Sequence, residues 1–235
     1  MGTEQEIFQG GDPVDLGRIH QPVVLMLDTS ESMGWGTAPY KIDQLNAGLQ
    51  AFLHSWRGHE LGTIIDVAIV SYNCAPSLVH NFHPVAEIAD PAPLQAAGTT
   101  AMGAALNYSL DLVDDYKQRL KMAGVEYRCP WIVCITDGEP TDRAEVQQAT
   151  ARLKAQEARQ ATMGYCFGVD GFSASKMAET FDKERILYLK NHNFNELFEF
   201  LHNSLVVTSR ADGGSTVGVA LTPSLQQPDT FTFQS

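Results

Sequence analysis

Two stretches of this chain stay apolar for the length of a strand, and each stops at an aspartate. Val23-Val24-Leu25-Met26-Leu27 runs into Asp28, and Trp131-Ile132-Val133-Cys134-Ile135-Thr136 runs into Asp137. A strand with one face in water alternates apolar and polar residues; a continuous apolar run must be covered on both faces, as in a parallel sheet flanked by helices. The sequence between and after these runs supplies the helices. Ile42, Leu45, Leu49, Phe52, Leu53 and Trp56 recur at helical spacing behind Pro39, a residue suited to a helix's first turn. Residues 64–72 are β-rich, and 77–82, set off by Ala75-Pro76, pair with them antiparallel as an edge strand. Residues 94–100 form a loop, and Met102, Ala105, Leu106, Leu112, Val113, Tyr116 and Leu120 mark a second amphipathic helix.

Beyond Asp137-Gly138-Glu139-Pro140, Asp142 with Glu145 has the pattern of a capping box at the start of a third helix. A strand near 163–169, a short helix at 175–181 and a last strand at 185–189 follow. Asn193 with Glu196 repeats the capping-box pattern ahead of the stripe Phe194, Leu197, Leu201 and Leu205. Strands alternating with helices give an α/β fold, a doubly wound, mostly parallel six-stranded sheet with one antiparallel edge strand and helices on both faces. The 235 residues suffice for one such domain. The expected organisation is an N-terminal extension at 1–20, the domain at 21–207, and a tail at 208–235. That tail turns to Gly, Ser, Thr, Pro and Gln, and is expected to be flexible or to lie across a partner.

Composition narrows the partners. Sixteen Lys and Arg against twenty-eight Asp and Glu give a net charge of -12, a field that repels nucleic acid and anionic membranes and favours cations. No apolar stretch approaches the roughly 20 residues of a membrane-spanning helix. The polar, acidic start lacks the basic-then-apolar pattern of a signal peptide. Cys74, Cys129, Cys134 and Cys166 show no CxxC spacing and read as reduced thiols, Cys134 and Cys166 as core residues. These features set the expectation of a cytoplasmic protein.

Asp28-Thr29-Ser30-Glu31-Ser32 places carboxylate and hydroxyl oxygens where a buried strand ends. Such oxygens suit Mg²⁺ or Ca²⁺, and an octahedral ion like Mg²⁺ keeps waters that a partner displaces. Alone the segment also fits ordinary turn chemistry. In doubly wound sheets, however, ligands bind outside the carboxyl ends of the strands, where the winding reverses. With strand order 3-2-1-4-5-6, Asp28 and Asp137 end neighbouring strands and face one crevice. Gly98-Thr99-Thr100-Ala101-Met102-Gly103, which opens the second helix, brings another hydroxyl to that edge.

Asp28, Ser30, Ser32, Thr100 and Asp137 together resemble the metal-ion-dependent adhesion site of the von Willebrand factor A family. The matching segments are Asp28 to Met33, Gly98 to Leu106 and Ile135 to Asp142, in the family's order, within a resemblance covering roughly 21–207. It implies a Rossmann-like fold that binds without catalysis. Ser30 and Ser32 would hold Mg²⁺, with Mn²⁺ or Ca²⁺ as other candidates, through their hydroxyls. Asp28, Asp137 and Thr100 would act directly or through water, and an Asp or Glu carboxylate of a protein partner would complete the octahedron. Counting back from Gly103 selects Thr100, although Thr99 offers the same hydroxyl one residue away. Glu31 stands where the family most often has Gly, either as an exposed acid or as a tuner of metal affinity. Within the family, the chain looks most like bacterial intracellular proteins associated with tellurium resistance. That implies a stress-response or defence complex with kinase or phosphatase components.

Other readings have less support in the residues. A haloacid-dehalogenase-type phosphatase with Asp28 as nucleophile wants an Asp acid/base two residues on, and Ser30 holds that position. A metal-independent scaffold of the same fold would not need five filled ligand positions. His20, His54, His59, His80, His83, His192 and His202 lack HxxxH or HExxH spacing and read as surface or structural residues, with His80 and His83 close enough for a weak site. Trp35, between two glycines beside the first motif, is either a partner-facing anchor or packed on its own domain.

Overall fold

A computed structural model describes residues 17–210 and 225–226. Its central strand, β1 (Gln21–Asp28), is buried at every position. Alternate side chains of β1 enter different cores, as the two-residue period of a strand requires. Val23, Leu25 and Leu27 pack with α1 (Lys41–Ser55) and α5 (Phe194–Arg210), through residues such as Leu45, Phe52 and Leu201. Val24 and Met26 pack on the other face with α2 (Met102–Met122), α3 (Arg143–Glu157) and α4 (Ala174–Thr180), through Leu106, Ala149 and Met177.

The remaining strands are β2 (Ile65–Tyr72), β3 (Pro76–Pro84), β4 (Trp131–Thr136), β5 (Met163–Gly168), β6 (Ile186–Leu189) and a two-residue β7 (Leu225–Gln226). Their order is β3-β2-β1-β4-β5-β6-β7. β1, β2, β4, β5 and β6 run parallel, and β3 pairs antiparallel with β2. The six expected strands thus stand in the expected order, and the winding reverses between β1 and β4. The seventh was not foreseen. Leu225, in the segment read as a flexible or partner-covering tail, is buried and pairs antiparallel with Leu189 at the edge of the sheet. The remainder of 211–235, like residues 1–16 of the expected extension, lies outside the described residues.

The first helix begins near Pro39 as expected, at Lys41, with Tyr40 at its cap and the Asp43 carboxylate accepting from the Tyr40 N–H at 3.0 Å. One local reading needs correction. Asp142 occupies the cap position of α3, but its side chain caps a different helix. It accepts from Gly103 N–H at 3.1 Å and Ala104 N–H at 2.8 Å, satisfying free donors at the start of α2. At Asn193 and Glu196 the cap half of the expected box forms, Glu196 N–H donating to Asn193 Oδ1 at 3.4 Å, while Glu196 Oε1 accepts from the Asn193 side-chain amide at 2.6 Å instead of from its backbone N–H, which donates to the Lys190 carbonyl.

At the opposite end of the sheet, His20 and Asp66 form a fully buried pair, with 2.7 Å between Nδ1 and Oδ2. His20 is also tied to the chain at Glu126 and Arg128 by backbone hydrogen bonds. Burial raises the Asp66 pKa, and the His20 partner pulls it back. Removing one member of a buried pair strands the other in a dry site. His20→Ala is therefore expected to cost about 3 kcal/mol of stability in urea unfolding. A loss below about 1 kcal/mol would mean the pair is not what holds Asp66 in the core.

Candidate metal centre

The end of β1 and the end of β4 lie side by side, with Leu27 in register with Ile135. Asp28 therefore sits next to Thr136, whose hydroxyl donates to Asp28 Oδ2 at 2.6 Å. The other oxygen, Oδ1, accepts from the Ser30 N–H at 2.8 Å, which turns the chain sharply off the strand. Thr29 is pinned to β2, its N–H and hydroxyl both donating to the Tyr72 carbonyl at 2.8 and 3.0 Å. This turn aims the next hydroxyls at the crevice. Ser30 Oγ lies 3.0 Å from Ser32 Oγ, and Ser32 Oγ donates to Asp137 Oδ1 at 2.7 Å.

Backbone bonds bring in the third segment. Ala97 N–H donates to Thr29 O, Glu31 N–H to Gly98 O, and Ala101 N–H to Asn73 O. Gly98 takes a positive φ of 75°, and a Cβ there would stand 2.6 Å from Cys74 Sγ, so only glycine fits this crossing. Thr100 is buried, and Thr141 N–H holds its carbonyl at 2.9 Å. A Cβ on Gly138 would lie 3.5 Å from the Thr100 hydroxyl and 3.9 Å from that of Ser32, so both hydroxyls look over the same glycine. Thr99 is exposed and hydrogen-bonds toward Cys74. Asp28, Ser30, Ser32, Thr100 and Asp137 are thus gathered at one place, and Thr99 turns away from it. Glu31 is exposed.

The charge of Asp28 is poorly compensated. Burial pushes the Asp28 pKa up to about 6; hydrogen bonds from Ser30 and Thr136 pull it down, and the charge of Asp137 adds to the rise. Both hydrogen-bond partners of this carboxylate are neutral. A desolvated carboxylate beside a second one, framed by hydroxyls, is an environment that a hard divalent cation relieves. The donors fit such an ion. Among the described residues no three His, Cys, Asp or Glu side chains gather into a metal-holding group, so this site is built from hydroxyls around two acids. His80 and His83 meet edge to face at 5.9 Å without such a third member.

Two participants escaped the sequence reading. Thr136 looked like the last residue of a strand, yet it fixes Asp28. Lys41 opens α1, and its Nζ donates to Asp137 Oδ2 and, at 3.2 Å, to the Asp170 carbonyl. Its signal in the sequence was a cation at the helix end where the dipole disfavours one. Trp35 is 64% exposed rather than folded onto its own domain, and the partly exposed Tyr40 lies in the same loop.

No family model and no curated protein matches this sequence. Solved structures match in fold. The vWF domain of a type V pili tip protein from Porphyromonas gingivalis aligns with a TM-score of 0.62 at 11% identity, over 84% of this chain and 99% of that one. Proximal thread matrix protein 1 from the mussel byssus aligns with a TM-score of 0.56 at 12% identity, over 77% of this chain and 46% of that one. A form of the mussel protein with a zinc-occupied MIDAS motif gives 0.52 at 12% identity, over 82% and 48%. The chain spans about half the length of the mussel protein. What it shares with these proteins is the doubly wound α/β fold of the von Willebrand factor A domain.

Proposed function

We propose that this chain is a non-enzymatic interaction module in which Asp28, Ser30, Ser32, Thr100 and Asp137 hold a divalent ion, Mg²⁺ first and Mn²⁺ or Ca²⁺ by the same chemistry. The observation that carries the reading is the convergence of two carboxylates and three hydroxyls from three segments at the β1/β4 reversal. Bound there, the ion would supply an electrophilic coordination position for the Asp or Glu carboxylate of a protein partner. Asp28, held by Ser30 and Thr136, fixes the floor of the site. Thr100 and Ser32 form its walls, and the exposed Trp35 and Tyr40 offer apolar contact beside it.

Support for the metal comes from the oxygen donor set and from the zinc-occupied MIDAS of a protein with this fold. Support for partner binding comes from relatives in fold that include a pili tip protein and a pilus adhesin from Lactobacillus rhamnosus. Among the described residues no helix is long and apolar enough to cross a membrane. The net charge of -12 disfavours nucleic acid and anionic lipid as partners. We place the module in the cytoplasm, in a bacterial stress-response or defence complex with kinase or phosphatase components. That placement rests on the resemblance of its motifs to intracellular proteins associated with tellurium resistance.

Partner capture from a native lysate, with wild type and Asp28→Ala in Mg²⁺ and in chelator, tests the module. Proteins held by wild type in Mg²⁺ should be lost both in chelator and with the variant. Retention in both arms would argue for a metal-independent scaffold. Trp35→Ala should reduce recovery of the same proteins, on the order of tenfold, while leaving Mn²⁺ binding unchanged, as expected of an aromatic anchor outside the coordination sphere. Undiminished recovery would remove Trp35 from the interface.

A further inference from the structure

The placement of Lys41 is not explained by the helix it opens. A cation in the first turn of α1 faces the positive end of the macrodipole, and its side chain is only 12% exposed. An ammonium so far withdrawn from water needs an anionic partner. It has one in Asp137, whose carboxylate is fully buried, and the Asp170 carbonyl accepts from it as well. Asp137 Oδ1 is taken by Ser32 and Oδ2 by Lys41. Both ends of the 33–40 loop, which carries Trp35 and Tyr40, are therefore clamped on the two oxygens of one carboxylate.

We propose that Lys41 is a tethered competitor of the divalent ion: its ammonium occupies the Asp137 pole of the centre, lowers the site's metal affinity, and must release Asp137 for the ion to engage it. This inference rests on the metal-binding reading above. A divalent ion bound between Ser32 and Asp137 would lie close to the ammonium, and like charges at such distances repel strongly in a site shielded from water. Coupling of this kind is reciprocal: Lys41 weakens the ion by the factor by which the ion weakens the Lys41 contact. Ion uptake would then free one end of the 33–40 loop, so the aromatic residues beside the centre would respond to metal. Lys41 thereby sets the ion concentration at which the module becomes competent.

Mn²⁺ isotherms for wild type, Lys41→Met and Lys41→Arg, with thermal unfolding of each in chelator and in excess Mn²⁺, test this. Lys41→Met should bind Mn²⁺ about tenfold more tightly than wild type, and Lys41→Arg, which keeps the charge, should not. In chelator the Met variant should melt below wild type, because Asp137 loses its cation, and the gap should close in excess Mn²⁺. Lys41→Gln is a second neutral variant should Met fail to fold. Wild type that binds Mn²⁺ while the neutral variants bind equally or more weakly overturns the role of Lys41 alone. Absence of Mn²⁺ binding in wild type and in the neutral variants overturns the metal reading, and this inference with it.

Discussion

Asp28→Asn yields a protein that takes up no divalent ion yet, in chelator at neutral pH, unfolds later than wild type. The folded-state pKa of Asp28 is about 6, raised from 3.8 by burial above all. The folded chain therefore holds a proton on this carboxyl more tightly than the unfolded chain does. By linkage the metal-free fold loses stability as pH rises from about 4 to 6 and stays penalised above that, by up to about 3 kcal/mol. Asparagine removes the charge but keeps an oxygen for the Ser30 N–H, and its amide can donate to the Thr136 hydroxyl, which accepts as readily as it donates. A gain of about 1–2 kcal/mol in urea unfolding near neutral pH is expected, shrinking toward about pH 4 where wild-type Asp28 is protonated. Excess Mg²⁺ should stabilise wild type alone. If the variant unfolds earlier than wild type near neutral pH in chelator, the ionised carboxylate is not the strained group inferred here.

Gly103→Ala is expected to destabilise the protein by at least about 3 kcal/mol and to weaken metal uptake with it. A Cβ at Gly103 would lie 2.2 Å from Val146 N and 2.5 Å from Glu145 C, both backbone atoms that no rotamer change can move aside. The start of α2 touches the start of α3 here, and the same contact lets Asp142 reach the Gly103 and Ala104 amides. Forcing the helices apart breaks that cap and disturbs Thr100 and Thr141, which meet just before each helix. Urea unfolding and an Mn²⁺ isotherm measure both effects. A change within about 0.5 kcal/mol would show that the two helix starts tolerate separation.

The architecture was legible because it rests on continuous patterns. The apolar runs ending at Asp28 and Asp137 each specify a strand covered on both faces, and connection rules for parallel strands leave few orders to consider. Once the order was set, the crevice holding Asp28 and Asp137 followed; the full set with Ser30, Ser32 and Thr100 came from the resemblance of three motifs to the metal-ion-dependent adhesion site. The misses are long-range. Asp142 follows the local grammar of a cap, but three-dimensional proximity gives its carboxylate to another helix. Lys41 lies 96 residues from Asp137, and nothing in the intervening sequence marks an ion pair between them. Leu225 is one apolar residue in a polar segment, and two residues of pairing leave no periodicity to read. Thr136 differs from the other end-of-strand residues only in what stands beside it on β1.

Calorimetric titration of the wild-type chain with Mg²⁺ and Mn²⁺ measures directly whether the oxygen cluster binds an ion. Saturable binding of one ion per chain, abolished by Asp137→Ala in a protein whose circular dichroism is unchanged, is the predicted result. No saturable heat with either ion in wild type, or binding that survives undiminished in Asp137→Ala, would contradict it.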